Sequence, residues 1–203
     1  MTPAPTVFFL PALVVLSFTV PAVAQDNPAP QDVAIVAEGD GSGNSGRIAV
    51  NIAAGSQNQQ IGSAVIAVGE LPINTQFTGQ LIDTPATTDR QTLVSVGPGA
   101  FSKNSGLLSL NVAAGNQNQS ANLALLAVGT AGVVSDQMLA QSSAPTNPAG
   151  PSARGLEASN DTVTIGDGAF SGNSGLVQIN LVGGERNSSA NTFALNVSAG
   201  GNP

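Results

Sequence analysis

Three stretches of this chain alternate apolar side chains with small or polar ones. The apolar residues occupy every second position at Ile48, Val50 and Ile52, at Leu108, Leu110 and Val112, and at Val177, Ile179 and Leu181. A period of two predicts a β-strand with two different faces. Further strands are predicted over 64–68, 123–128 and 192–197, and weaker ones over 93–96 and 163–165. The pattern therefore predicts an all-β chain.

The three stretches belong to three copies of one repeat. Gly46–Gly69 and Gly106–Gly129 align without a gap and are identical at about half of their positions, and a more diverged copy covers Gly175–Ser198. A related Gly-rich segment precedes each copy. One copy has too few aliphatic side chains to offset the entropy lost on ordering it, so we expect the copies to be stable only when stacked.

Amide side chains keep a fixed frame within the copies, with three asparagines spaced seven residues apart in each. A coiled coil would need apolar a and d positions and good helix formers, whereas Gly, Asn and Ser recur here. Stacked strands with ladders of identical amides fit the pattern. Besides the nine apolar residues above, the residues predicted to stack and to drive self-assembly are Asn44, Asn51, Gln57, Asn58, Gln59, Asn104, Asn111, Gln117, Asn118, Gln119, Asn173, Asn180 and Asn187.

The predicted fold is a stacked β-solenoid, or cross-β layers, built from three repeats of about 35 residues. The two segments between repeats differ in length and share no clear sequence, and the second contains a Pro-rich stretch that cannot continue a sheet. We therefore expect irregular linkers. The predicted boundaries are a signal peptide over 1–24, a tail over 25–32, repeats over 33–69, 93–129 and 162–197, linkers over 70–92 and 130–161, and a tail over 198–203.

The first segment has the pattern of an export signal. An apolar run over Val7–Val20 precedes Ala22-Val23-Ala24, which matches an A-x-A cleavage site. A transmembrane anchor is the alternative, but the run is shorter than the roughly 20 residues of a spanning helix, and Pro11 interrupts it. We predict secretion through the periplasm to the cell surface.

Composition argues against several functional classes. The chain of 203 residues contains no His and no Cys, so it lacks the commonest general base and the thiol nucleophile. Its acidic residues are isolated, and we predict no catalytic residue and no enzyme. The five Lys and Arg residues are scattered in a chain of net charge −7, which argues against nucleic-acid binding.

No metal site and no cofactor are predicted. A calcium-binding β-roll is the alternative, because Asp40 and Asp167 lie in Gly-rich segments that resemble fragments of Gly/Asp-rich nonapeptides. Such nonapeptides repeat in tandem and keep their Asp ligands, whereas the middle copy has Pro98 at the equivalent position. A Gly-rich turn is the simpler interpretation.

The segment Asn111–Gln119 and its counterpart Asn51–Gln59 resemble the repeats of Fap-type functional amyloid subunits of biofilm-forming bacteria. Those subunits have a signal peptide and three imperfect repeats rich in Ala, Gly, Asn and Gln, separated by two dissimilar linkers. The major subunit characteristically carries a Cys-x-x-Cys near its C-terminus, which this chain lacks. A minor, nucleating subunit and a diverged relative therefore stay open.

The resemblance implies a secreted structural protein that assembles into amyloid-like fibrils at the cell surface and supports biofilm matrix and adhesion. Its partners would be further copies or related subunits, and an outer-membrane secretion machinery. A monomeric β-solenoid acting as a surface adhesin is the alternative. The order of strands within a layer, and whether layers stack within one chain or between chains, stay open at the level of the sequence.

Overall fold

The computed structural model describes residues 31–70, 72–83, 90–130, 134–143 and 160–198. Within these ranges every regular element is a β-strand, and no helix is long and apolar enough to cross a membrane. The predicted signal peptide, most of both tails and parts of both linkers lie outside the described residues. The strands are β1 Gln31–Val36, β2 Ser45–Ala54, β3 Gln59–Gly69, β4 Ile73–Ile82, β5 Gln91–Val96, β6 Ser105–Ala114, β7 Gln119–Gly129, β8 Val134–Ser143, β9 Asp161–Ile165, β10 Ser174–Gly183 and β11 Ser188–Ser198.

Each repeat forms one layer of a stack. Sheet A has the order β1-β5-β9, sheet B the order β2-β6-β10, and sheet C the order β3-β7-β11, so layer 2 lies between layers 1 and 3 in every sheet. All of these pairs are parallel. The stacked β-solenoid predicted from the sequence is therefore confirmed, and the three layers stack within one chain.

The layers stack in register, so equivalent residues lie above one another. Asn111 of β6 pairs with Asn51 on one side and with Asn180 on the other. The turn after each of these strands also repeats, with a glycine at positive φ in every layer. A Cβ on Gly115, whose φ is 111°, would overlap the carbonyl oxygen of Gly184. Glycine recurs here because the turns approach each other too closely for a side chain.

The aliphatic core lies between sheets A and B. Val94 and Val96 of sheet A are at most 1% exposed, and they pack in one cluster with the alternating apolar residues of β6. Leu108, Leu110 and Val112 are at most 2% exposed. The equivalent residues of layers 1 and 3 are partly buried and pack against this cluster, because each has a neighbouring layer on one side only: Ile48, Val50, Ile52, Val177, Ile179 and Leu181.

Both linkers are more ordered than the sequence predicts. Strand β4 in the first and β8 in the second pair in parallel as sheet D, which packs on sheet C. The two strands share almost no sequence, so a search for repeats could not align them. The strand predicted over 64–68 is also longer, because β3 begins at Gln59. The amide residues after the turn pair with the next layer and continue the strand.

Candidate functional site

A ladder of asparagines, buried in layers 2 and 3 and exposed in layer 1, crosses all three layers in sheet B. The Nδ2 of Asn111 donates to the Oδ1 of Asn51 at 2.8 Å, and the Nδ2 of Asn180 donates to the Oδ1 of Asn111 at 2.9 Å. Asn111 is fully buried. A primary amide both donates and accepts, so an in-register column of identical amides satisfies its own hydrogen bonds and can be extended by another layer.

A second ladder lies in the Gly-rich turns before sheet B. The backbone N–H of Asn44 donates to the Oδ1 of Asn104 at 2.8 Å, and the N–H of Asn104 donates to the Oδ1 of Asn173 at 2.7 Å. The Nδ2 of Asn173 donates to the carbonyl of Phe170 at 2.9 Å within its own turn. Asn44 and Asn173 therefore each close their own turn through Nδ2, whereas the Nδ2 of the buried Asn104 has no hydrogen-bond partner among the described residues, and all three asparagines are joined along the stack.

The third ladder lies in the turns between sheets B and C. The N–H of Asn118 donates to the Oδ1 of Asn58 at 3.0 Å, and the N–H of Asn187 donates to the Oδ1 of Asn118 at 3.0 Å. These bonds run along the stack in the opposite direction to those of the second ladder. Because both directions occur, each end of the stack presents acceptors of one ladder and donors of the other.

The predicted glutamines lie around the third ladder. The Nε2 of Gln117 donates to the Oε1 of Gln57 at 2.8 Å, and Arg186 occupies this position in layer 3, with positive φ at all three residues. Gln119 is 1% exposed, and the Nε2 of Gln59 donates to the carbonyl of Leu81 in β4 at 2.6 Å. The glutamines therefore bind both the adjacent layer and a linker strand.

Two amide pairs that the sequence analysis missed extend this network. Asn191 of β11 donates through Nδ2 to the Oδ1 of Asn122 in β7 at 2.9 Å, and Asn122 donates to the Oδ1 of Asn111 at 3.0 Å, which joins sheets B and C. The first copy has Gly62 at this position, so the column did not stand out as a repeat.

The second missed pair lies in the linker strands. The Nε2 of Gln141 in β8 donates to the Oε1 of Gln80 in β4 at 2.6 Å. The signal in the sequence is a shared spacing of two glutamines, Gln76 and Gln80 in β4 and Gln137 and Gln141 in β8, within segments that otherwise align weakly. The pair gives sheet D an amide contact of the same kind as those in the repeats.

One position in sheet A carries charge only in the outer layers. Asp32, Thr92 and Asp161 are in register, so the threonine separates the two carboxylates. The Nε of Arg90 lies 2.6 Å from the Oδ2 of Asp32, which is 6% exposed, and the Oγ1 of Thr92 donates to the Oδ1 of Asp161 at 2.7 Å. Like charges in directly paired strands would repel, and the threonine avoids that repulsion within the chain.

The Gly-rich segments form stacked turns. The N–H of Gly39 donates to the carbonyl of Pro98 at 3.0 Å, and the N–H of Gly99 donates to the carbonyl of Asp167 at 3.0 Å. The Oδ2 of Asp40 accepts from the backbone N–H of Ala37 at 3.2 Å. In the part of the chain that the structure describes, no group of three or more acidic residues could hold a metal ion.

The chain matches the model of the functional amyloid protein FapB/FapC family over residues 19–198. No solved structure matches the chain. The match covers all three repeats and both linkers, and it describes a family of structural amyloid subunits rather than of enzymes. The sequence, the stacked layers and this match together assign the chain to the functional amyloid protein FapB/FapC family.

Proposed function

We propose that this protein is a secreted fibril subunit that polymerises head to tail, with layer 3 of one copy pairing with layer 1 of the next. The observation that carries the proposal is the identical register of both outer layers on layer 2. Layer 2 pairs in register with layer 1 on one side and with layer 3 on the other. The outer edge of layer 3 can therefore pair in the same register with the outer edge of layer 1 in another copy. The product is a cross-β fibril at the cell surface that supports biofilm matrix and adhesion.

The outer layers end in open strand edges of matching length. Strands β2 and β10 have 10 residues each, and β3 and β11 have 11 each. Within the described ranges each of these strands pairs on one side only. An unpaired edge of this length is a template for adding another strand in parallel.

The layer 3 end of sheet A also exposes apolar residues whose equivalents are covered in layer 2. Val163 and Ile165 of β9 are 45% and 58% exposed, whereas Val94 and Val96 at the same register positions are at most 1% exposed. A further layer on this end would cover both side chains. Burial of apolar surface at about 25 cal/mol per Å² therefore favours addition of a copy.

The asparagine ladders continue across the proposed junction. If the pattern within the chain is repeated, the N–H of Asn173 donates to the Oδ1 of Asn44 in the next copy. In the other ladder, the N–H of Asn58 in the next copy donates to the Oδ1 of Asn187. Each junction then repeats these two ladders as they occur at the two junctions within a chain.

We propose cleavage of a signal peptide after Ala24, export through the periplasm and passage across the outer membrane by a dedicated secretion machinery. The polymer contains further copies of this chain or related subunits. The subunit has a structural role and catalyses no reaction.

Cysteine pairs test the head-to-tail geometry, because the chain has no cysteine of its own. Ser45 and Ser174 are exposed at the outer layers and each pairs with Ser105. In a head-to-tail fibril, Ser174 of one copy pairs with Ser45 of the next, about 4.8 Å away, which suits a disulfide. We expect the Ser45→Cys/Ser174→Cys variant to form disulfide-linked multimers when the mature chain assembles and is then oxidised.

Single variants provide the controls. Ser45→Cys alone and Ser174→Cys alone have no partner cysteine at the junction and should yield no multimers above a dimer. Electron microscopy, thioflavin binding and a fibre reflection near 4.7–4.8 Å establish whether fibrils form. Fibrils without multimers in the double variant would overturn the head-to-tail geometry. A chain that stays monomeric at high concentration would instead favour the surface adhesin.

A further inference from the structure

Neighbouring sheets of the stack are offset along its axis, so that a strand of one sheet lies between two strands of the next. Strand β3 of sheet C packs against both β2 and β6 of sheet B, and β7 packs against both β6 and β10. Sheet D is offset from sheet C in the same way, because β4 packs against β3 and β7, and β8 packs against β7 and β11. Each strand of sheet D therefore covers the boundary between two layers of sheet C.

Side-chain hydrogen bonds follow this offset. The Nε2 of Gln80 in β4 donates to the carbonyl of Gln59 in β3 at 2.9 Å and to the carbonyl of Ser120 in β7 at 3.3 Å. At the next boundary, the Oγ of Ser188 in β11 donates to the Oε1 of Gln141 in β8 at 2.9 Å. The glutamines of sheet D therefore join it to sheet C at both boundaries within the chain.

The head-to-tail polymer creates a third boundary, between β11 of one copy and β3 of the next. Among the described residues sheet D has two strands per copy, and both already cover boundaries within the chain. The open edge of β8 in one copy then faces the open edge of β4 in the next, each 10 residues long. At a strand spacing of about 4.8 Å these edges lie about 9.6 Å apart, which leaves room for one strand. We call the gap between Val134–Ser143 of one copy and Ile73–Ile82 of the next the junction slot.

The floor of the junction slot is polar. Leu123 and Ala127 of β7 are fully buried, because β7 has a strand of sheet D on either side. At the same register positions of β11, Thr192 and Asn196 are exposed, because β11 has β8 on one side only. A strand in the slot would cover both residues. Their polar side chains suit a strand whose inward residues are also polar, as Gln80 is in β4.

The strands at the two covered boundaries define what fits the third. Strands β4 and β8 are parallel and in register, with Gln76 paired to Gln137 and Gln80 paired to Gln141. The Nε2 of Gln141 donates to the Oε1 of Gln80 at 2.6 Å, as in the asparagine ladders. A third parallel strand continues this amide column only if it also carries two glutamines four residues apart.

We propose that the junction slot binds an extended segment of a second protein as a parallel strand, an inference that rests on the proposed head-to-tail polymer. The segment carries two glutamines four residues apart on the side that faces sheet C. Its backbone groups pair with open edges on both sides, whereas a soluble copy offers one edge at each end. The slot therefore occurs once per copy along a fibril and is incomplete in a single chain, so the fibril presents an array of sites for strand addition.

A fluorescent peptide with the sequence of residues 134–143 is the probe for the slot. It is mixed with washed fibrils at concentrations at which the peptide alone stays in the supernatant, and the bound peptide is counted per chain after sedimentation. The control peptide carries Gln137→Glu/Gln141→Glu, which keeps length and shape but removes both side-chain donors. We expect the probe to saturate at about one peptide per chain, and the control to bind about tenfold more weakly or less.

A matched pair of fibril variants locates the bound peptide. Thr192→Arg places a long charged side chain on the floor of the junction slot, opposite the small Ser63 of the next copy. Thr162→Arg makes the same change at an exposed threonine of layer 3 on the outer face of sheet A. Both variants should form fibrils, and only Thr192→Arg should reduce the bound peptide, by about tenfold.

The outcomes separate the slot from the polymer. Wild-type fibrils that bind far less than one peptide per chain, as binding at fibril ends alone would give, overturn the junction slot and leave the polymer intact. Equal binding of the probe and the control peptide, or equal binding by Thr192→Arg and Thr162→Arg fibrils, overturns it as well. Absence of any wild-type fibril would overturn the head-to-tail polymer, and the slot with it.

Discussion

Replacing Asn111 by Asp exchanges one side-chain NH2 group for an oxygen at the centre of the amide network. The Oδ1 of Asn111 accepts from Asn180 at 2.9 Å and from Asn122 at 3.0 Å, and a carboxylate can keep both bonds. The Nδ2 of Asn111 donates to the Oδ1 of Asn51 at 2.8 Å and to the carbonyl of Ile61 at 3.0 Å. An ionised Asp loses both donations and turns its oxygen towards two other oxygens.

The loss should be a large fraction of the total stability. Each buried group left without its partner costs about 1–3 kcal/mol, so two of them cost about 2–6 kcal/mol before the burial of the charge is counted. The free energy of unfolding of an ordinary domain is about 5–15 kcal/mol. We therefore expect the Asn111→Asp variant to unfold at a much lower denaturant concentration than wild type, and to form fibrils more slowly, at neutral pH.

The defect should depend on pH in a defined direction. Burial without a cation raises the pKa of the introduced carboxyl above the value of about 3.9 in the unfolded chain. Below about pH 3.9 the carboxyl is neutral in both states, and its hydroxyl can restore one of the two donations. As the pH rises through the raised pKa in the folded state, the stability relative to wild type is lost.

Circular dichroism during denaturant unfolding, at pH 3 and at pH 7, measures the effect. Asn44→Asp is the matched control, because Asn44 is exposed and its Nδ2 donates to the carbonyl of Gly41 in a surface turn, so the midpoint of soluble chain should shift little. If Asn111→Asp unfolds at the wild-type denaturant concentration at pH 7, the ladder does not stabilise the stack and the reasoning fails.

Three further changes separate other contributions. Gly62→Asn should complete the cross-sheet amide column in layer 1 and raise the free energy of unfolding by about 0.5–1.5 kcal/mol. The new side chain has room, because its Cβ would lie 3.5 Å from the nearest side chain. A lowered denaturation midpoint would contradict this. Asp161→Asn should shorten the lag before fibril growth at low salt, because it removes the negative charge that would face Asp32 of the next copy. Equal lag times for the variant and the wild type would argue against the head-to-tail junction. Gly115→Ala should prevent folding because the added carbon overlaps backbone, whereas Gly69→Ala, with nothing within 4 Å, should fold and give the wild-type dichroism spectrum.

The repeat and the register could be predicted from the sequence because parallel in-register stacking places identical residues together. The alternation of apolar residues around Leu110 predicted the strands. The recurrence of Asn111 at the same position of each copy predicted the asparagine ladder. Parallel strands in register repeat the same backbone hydrogen bonds in every layer. Residues at equivalent positions of the three copies therefore lie directly above one another. Glycine recurs at Gly115 for a reason that the structure supplies, because the stacked turns there lie too close together for a side chain.

The linker strands, the contacts between sheets and the faces left uncovered were decided only by the tertiary structure. The pairing of Gln80 with Gln141 joins two segments that share little more than a pair of glutamines. The contact of Asn122 with Asn111 depends on how closely sheet C packs on sheet B. Such contacts depend on which sheet packs against which and at what distance, and no spacing along the chain encodes that. The exposure of Phe77 was not predictable for the same reason, because sheet C covers the opposite face of β4.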